Sequence, residues 1–93
     1  MQGCAYVNGQ FVPPSEAKIS IFDWGFLHSD ATYDVAHVWQ GKFFRLGDHL
    51  DRFFRSAAYL DLPLPATAES IEDRVYRLIA ANQVENQNLK FIL

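Results

Sequence analysis

An α+β fold is predicted for these 93 residues: an antiparallel hairpin sheet packed against two helices, with a last strand joining the sheet. Three observations predict it. Asn8-Gly9 and Gln40-Gly41 each interrupt short runs rich in β-branched and aromatic residues, as hairpin turns do. Thr32 to Trp39 alternates with a period of two, which is the strand period. Two later segments, beginning near Asp48 and Thr67, place apolar residues at helical spacing.

Taken in order, Asn8-Gly9 joins Ala-Tyr-Val to Gln-Phe-Val, so Tyr6 and Phe11 fall on paired strands. Pro13-Pro14 ends the second strand because proline has no N–H for the ladder. Lys18 to Phe22 is expected to form a further short strand with Ile19 and Ile21 on one face. Asp23-Trp24-Gly25 reads as a turn, since an Asp side chain accepts from the backbone two residues on and Gly25 tolerates positive φ. The polar cluster His28-Ser29-Asp30 follows and, on spacing alone, reads as a surface turn.

The next strand sends Tyr33, Val35, His37 and Trp39 to one face and Thr32, Asp34, Ala36 and Val38 to the other. Neither face is purely apolar, so the strand is either a solvated edge or the lining of a site. Gly41 permits a tight turn, and Lys42 to Leu46 is the expected return strand. Asp48 is the expected N-cap of a helix with the stripe Leu50, Phe53, Phe54, Ala57 and Leu60. Asp48 with Arg52, and Asp51 with Arg55, are spaced for exposed ion pairs. Pro63 and Pro65 separate this helix from a second, capped by Thr67, with Glu69 in its first turn and the stripe Ile71, Val75, Leu78 and Ile79. Leu89 to Leu93 reads as a buried strand.

Residues 1–93 make one small domain, burying roughly 60–65% of the surface of the unfolded chain. With 49% hydrophobic and 15% aromatic residues, it is well supplied for a single core. The net charge of −3 and the scattered basic residues argue against nucleic acid as a partner. No stretch approaches the roughly 20 apolar residues of a membrane span, and no signal-peptide pattern opens the chain. Its one cysteine, Cys4, cannot form an internal disulfide, which fits a cytoplasmic location.

Asp-Trp-Gly-Phe-Leu-His-Ser-Asp-Ala-Thr-Tyr-Asp-Val at Asp23 to Val35, Gly-Lys-Phe-Phe-Arg-Leu at Gly41 to Leu46 and His-Leu-Asp-Arg at His49 to Arg52 together resemble the N-terminal domain of the class IV aminotransferases. These fold type IV enzymes include branched-chain and D-amino-acid aminotransferases and aminodeoxychorismate lyases. The wording His-Ser-Asp-Ala-Thr-Tyr-Asp-Val with His-Val-Trp is most similar to the (R)-selective amine transaminase branch. Other branches usually show Gly-Asp-Gly where this chain has Ser29-Asp30-Ala31. The resemblance runs from Ala5 to Leu93.

It implies the small N-terminal domain of a two-domain enzyme with the D-amino-acid aminotransferase-like fold, a homodimer whose site is completed across the subunit interface. It implies pyridoxal 5′-phosphate as cofactor, and an (R)-amine or amino acid and a keto acid as substrates. Arg52 takes the position that contacts the cofactor phosphate, for which a planar, bidentate guanidinium is suited. Tyr33 and His28 take substrate-pocket positions, and Val35 and His37 continue the face of Tyr33. His37 departs from branches that place a small apolar or a basic residue there.

The chemistry needs a lysine that binds the cofactor carbonyl and shuttles the substrate's α-proton. Lys18, Lys42 and Lys90 match no such pattern, so no catalytic residue is assigned. The family's later glutamate and Gly/Thr phosphate turns are missing too. If the 93 residues were the whole polypeptide, they would not transaminate alone. No metal site is expected, because His28, His37 and His49 lack ligand spacing. Ser29 beside Asp30 and His28 makes no triad, and no glycine-rich phosphate loop is present.

Two alternatives stand beside the (R)-amine reading. The first is a branched-chain or D-amino-acid aminotransferase or the related lyase, weighed against by Ser29-Asp30-Ala31 and by the lack of a strand arginine for carboxylate recognition. The second is a non-catalytic assembly module offering the apolar edge of Leu89 to Leu93 to another chain.

Overall fold

The computed structural model describes residues 3–93. Strands β1 (Ala5–Val7) and β2 (Gln10–Val12) form a separate two-stranded hairpin. A short helix, α1 (Trp24–His28), leads to β3 (Tyr33–Trp39), β4 (Lys42–Phe43), the long helices α2 (Leu46–Tyr59) and α3 (Ala68–Ala81), and β5 (Asn88–Ile92). The main sheet has the order β4-β3-β5, antiparallel throughout, so the last strand joins β3 as the sequence predicts.

Both hairpin turns use two left-handed residues, which is why Asn-Gly and Gln-Gly serve there: φ is 49° at Asn8, 88° at Gly9, 51° at Gln40 and 76° at Gly41. Tyr6 faces Phe11 in register, and their rings meet edge to face at 4.9 Å. The hairpin is tied to the end of α3 by Asn82, whose amide donates to Cys4 O and whose Oδ1 accepts from Cys4 N.

The alternation read from β3 sorts its faces. Asp34, Ala36 and Val38 are buried, whereas Tyr33, His37 and Trp39 are exposed. β5 continues the inner face with Leu89 and Phe91, opposite Ala36 and Asp34. Against it, α2 lays Leu46, Leu50, Phe53 and Ala57, and α3 contributes Val75 and Ile79. Leu50, Ala36, Leu46 and Val75 form one contiguous core, and Phe53 meets Phe91 edge to face at 4.9 Å. α3 begins as predicted: Thr67 caps it, accepting from Ser70 N while Ser70 Oγ accepts from Thr67 N.

Several expectations are corrected. Lys18 to Phe22 forms no strand; Ile19, Ile21 and Phe22 are 65–75% exposed, with no neighbouring strand among the described residues to pair them. Gly25 lies inside α1 and does not have positive φ; Asp23 caps that helix, accepting from Gly25 N at 2.9 Å. The return strand stops at Phe43, because Arg45 turns left-handed (φ 55°) and Leu46 begins α2. Asp48 therefore lies in the first helical turn and is not the cap; it accepts from Arg45 Nε at 2.6 Å and does not pair with Arg52. Asp51 and Arg55 form no ion pair among the described residues. Trp24 and Trp39 are 70% and 59% exposed, so neither is a core packing residue. Leu89 to Leu93 is only half-buried, since alternate side chains of β5 face outward. No helix of the described residues is long and apolar enough to cross a membrane.

Candidate functional site

β3 separates two clusters of polar side chains. On its inner face Asp34 is the one buried charged residue among those described, only 4% exposed, and it lies against α2. His49 and Arg52 are three residues apart on α2, so both reach the same carboxylate. Arg52 donates from Nε to Asp34 Oδ2 at 2.7 Å and from Nη2 to Oδ1 at 2.8 Å. His49 Nδ1 lies 2.8 Å from Oδ1, which also accepts from Val35 N at 2.9 Å.

An ionised carboxylate can only accept, so His49 Nδ1 carries the hydrogen in this contact. The 3.4 Å approach of Arg52 Nη2 to the same nitrogen is then two donors sharing one acceptor. The Arg52 guanidinium holds the Asp34 carboxyl well below its ordinary range, with His49 and the Val35 amide adding to the effect and burial opposing it. Asp34 in turn raises the pKa of Arg52.

Asp34 fixes the guanidinium without exhausting it. The Arg52 side chain is 60% exposed, and Nη1 together with one Nη2 hydrogen is uncommitted among the described residues. It borders two adjoining cavities. One, of about 460 Å³, is lined by Phe44, Arg45, His49 and Arg55 together with the carboxylates Asp48 and Asp51. The second, of about 430 Å³, reaches Thr32 at the head of β3. A permanent cation with unspent donors, held in a fixed plane, can donate to the oxygens of a phosphate.

On the outer face, Tyr33, Val35 and His37 stand in a row, joined from β5 by Ile92, Lys90 and Asn88. Tyr33 is 60% exposed and carries the Lys90 ammonium 4.4 Å from its ring centroid. His37 Nδ1 contacts Asn88 Oδ1 at 3.1 Å, which sets the plane of the imidazole. His28 stands apart at the end of α1, its ring edge-on to Trp24 at 5.3 Å. Tyr33, Val35 and His37 are thus brought together, Arg52 lies behind the strand, and His28 packs on its own helix. Among the described residues no group of His, Cys, Asp or Glu is arranged to hold a metal ion.

Sequence reasoning passed over Asp34 as a site residue. The signal was available: strand parity put a carboxylate on the face of Ala36 and Val38, and a buried carboxylate needs cationic or N–H partners.

Residues 31–93 match the family model described as amino-transferase class IV. The chain belongs to the class IV aminotransferases. A D-alanine aminotransferase of Staphylococcus aureus is 39% identical over 80 residues, covering 86% of this chain and 28% of its own length. Among class IV structures, a branched-chain amino acid aminotransferase from T.th. superposes with a TM-score of 0.89 at 26% identity, covering 99% of this chain and 32% of that one. It was solved with N-(5′-phosphopyridoxyl)-L-glutamate and, separately, with pyridoxamine 5′-phosphate. The chain therefore spans about three-tenths of the length of these class IV relatives.

Proposed function

We propose that this chain is the cofactor-phosphate half of the site in a pyridoxal 5′-phosphate-dependent aminotransferase, which moves an amino group between an (R)-amine or amino acid and a keto acid. The observation that carries this reading is Arg52: clamped to Asp34, exposed, and bordering both cavities with donors to spare. Arg52 holds the cofactor phosphate, and the outer row of Tyr33, Val35 and His37, with His28 at its margin, lines the substrate pocket.

When bound, the cofactor supplies the electron sink that lets the substrate's α-proton leave. The chain's own part is to anchor that group and to shape one wall of the pocket. None of Lys18, Lys42 and Lys90 stands where it would receive that proton, so these residues are expected not to transaminate by themselves. The (R)-amine assignment rests on Ser29-Asp30-Ala31 and the His-Val-Trp wording. The relatives named above carry D-alanine and branched-chain amino acid names, so the donor class is what the experiment must decide.

That experiment loads the full-length protein with pyridoxal phosphate and offers an (R)-arylalkylamine, D-alanine and a branched-chain L-amino acid in turn, with a 2-keto acid as acceptor. Transfer from the amine is expected. Transfer from only the amino acids would reassign the branch, and no transfer from any donor would overturn the reading.

The same protein is expected to be a cytoplasmic homodimer. Ile19, Ile21, Phe22, Trp24 and Phe26, each more than 60% exposed, give it an apolar surface to cover. Sedimentation as a monomer would exclude this. An assembly role without catalysis is favoured by the outer edge of β5, unpaired among the described residues, and is excluded if amino transfer is found.

A further inference from the structure

We propose that Arg55 is a second guanidinium for the cofactor phosphate, acting with Arg52 across the smaller of the two cavities; this rests on the reading above that Arg52 anchors that phosphate. Arg52 and Arg55 are three residues apart on α2, neighbours on its surface, and each lines both cavities. Arg55 is exposed, and the Asp51 spaced to pair with it does not. Its side chain makes no ion pair or hydrogen bond among the described residues. Two like charges at this spacing repel, and an anion bridging them removes that cost.

The linings decide between the cavities. The larger carries Asp48 and Asp51, whose carboxylates oppose a phosphate dianion, and its Arg45 is already held by Asp48 at 2.6 Å. Among the described residues no carboxylate lines the smaller, of about 430 Å³; Thr32, Ser56 and Tyr59 bring hydroxyl donors to it instead. Thr32 is set by pairing that prolongs β3 ahead of Tyr33: its N–H donates to Leu93 O and its carbonyl accepts from Leu93 N, both at 2.9 Å. Strand parity puts it on the face of Asp34, toward α2. About one helical turn separates Arg52 from Ser56 and Arg55 from Tyr59, so each guanidinium has a hydroxyl beside it. Asp34, bound to the back of Arg52, cancels one unit of positive charge there. A dianion facing Arg52 alone would meet little net charge. Arg55, which has no such counter-ion among the described residues, restores the unit that Asp34 withdraws, and it can engage oxygens that the fork of Arg52 does not reach.

The test uses the full-length protein freed of cofactor and two probes, pyridoxamine 5′-phosphate and pyridoxamine, which differ only in the phosphate. Dissociation constants are measured by calorimetric titration for the wild type and for Arg55→Gln, Arg55→Lys, Arg45→Gln and Arg52→Gln. The ratio of the two constants within one protein separates the phosphate from any loss of folded material. Arg55→Gln is expected to lower the preference for the phosphorylated probe about tenfold and Arg55→Lys to restore part of it, whereas Arg45→Gln, which removes a cation of the larger cavity, leaves it unchanged. A preference lost in Arg52→Gln but intact in Arg55→Gln overturns this inference and leaves the anchor standing. A preference lowered as much by Arg45→Gln as by Arg55→Gln overturns the choice of cavity, and with it the inference. No preference for the phosphorylated probe in the wild type overturns the reading of Arg52 on which the inference rests.

Discussion

Arg52 grips Asp34 through two parallel N–H donors, at 2.7 and 2.8 Å, while most of its side chain remains in solvent. The fork is thereby set in one plane before any ligand arrives, and affinity for a phosphate gains from not having to order it. Asp34→Asn keeps the shape but loses the charge that aligns both donors. It is expected to weaken cofactor retention by about tenfold, with Arg52→Lys weakening it at least as much because an ammonium cannot engage two oxygens in parallel. Equilibrium dialysis of the full-length protein, followed by absorbance, measures both. Unchanged retention in Arg52→Lys would remove Arg52 from the phosphate site.

Acid stability follows from the same pair. The folded pKa of Asp34 lies below its ordinary value of 3.8, so the carboxylate contributes stability that is fully present above that value. As pH falls from 3.8 toward the lower folded pKa, the contribution is lost, because the unfolded chain takes up the proton first. Denaturant midpoints measured downward from neutrality are therefore expected to fall steeply below about pH 4, and Asp34→Asn should flatten that limb. Equal acid slopes in the two proteins would show that other carboxylates carry it.

How much of this was legible in the sequence depends on the range of the interaction. Local signals succeeded: Asn8-Gly9 and Gln40-Gly41 require left-handed residues, and Thr67 with Ser70 caps α3. The face assignment of β3 also held, because a period of two needs no partner to be read. What failed depended on chain reversals. Lys18 to Phe22 alternates like a strand, yet no neighbour among the described residues arrives to bond it. Arg45 adopts a left-handed φ that no propensity favours for arginine, moving the start of α2 ahead of Asp48, and its own side chain pairs with Asp48 in place of Arg52. Arg52 thus found Asp34, 18 residues away, which helical spacing could not name.

Thr67 offers a clean local test. Its hydroxyl accepts from Ser70 N at 3.1 Å and Ser70 Oγ accepts in return from Thr67 N at 3.1 Å. Thr67→Ala is expected to cost about 0.5–2 kcal/mol, lowering Tm by several degrees without touching either polar cluster. Calorimetry measures the shift, and Thr67→Asp should recover most of it, since a carboxylate caps the same amide and faces the positive end of α3. No loss in Thr67→Ala would mean that α3 is held by its packing alone.

Leu50 tests the packing that holds α2, and with it Arg52, against β3. It is 3% exposed, in the core with Ala36, Leu46 and Val75. Leu50→Ala removes buried methyl groups and leaves a cavity between helix and sheet, at a cost of about 2–5 kcal/mol. Leu60→Ala, at a position 40% exposed at the end of α2, is expected to cost much less. Because Asp34 and Arg52 sit on the two surfaces that Leu50 joins, a cavity there also loosens the register between them. Leu50→Ala protein still folded at low temperature is therefore expected to retain cofactor less well than the wild type, although Leu50 makes no hydrogen bond to the guanidinium. Equal retention in the two would show that the Asp34–Arg52 pair, and not the packing beneath it, sets the position of the phosphate anchor.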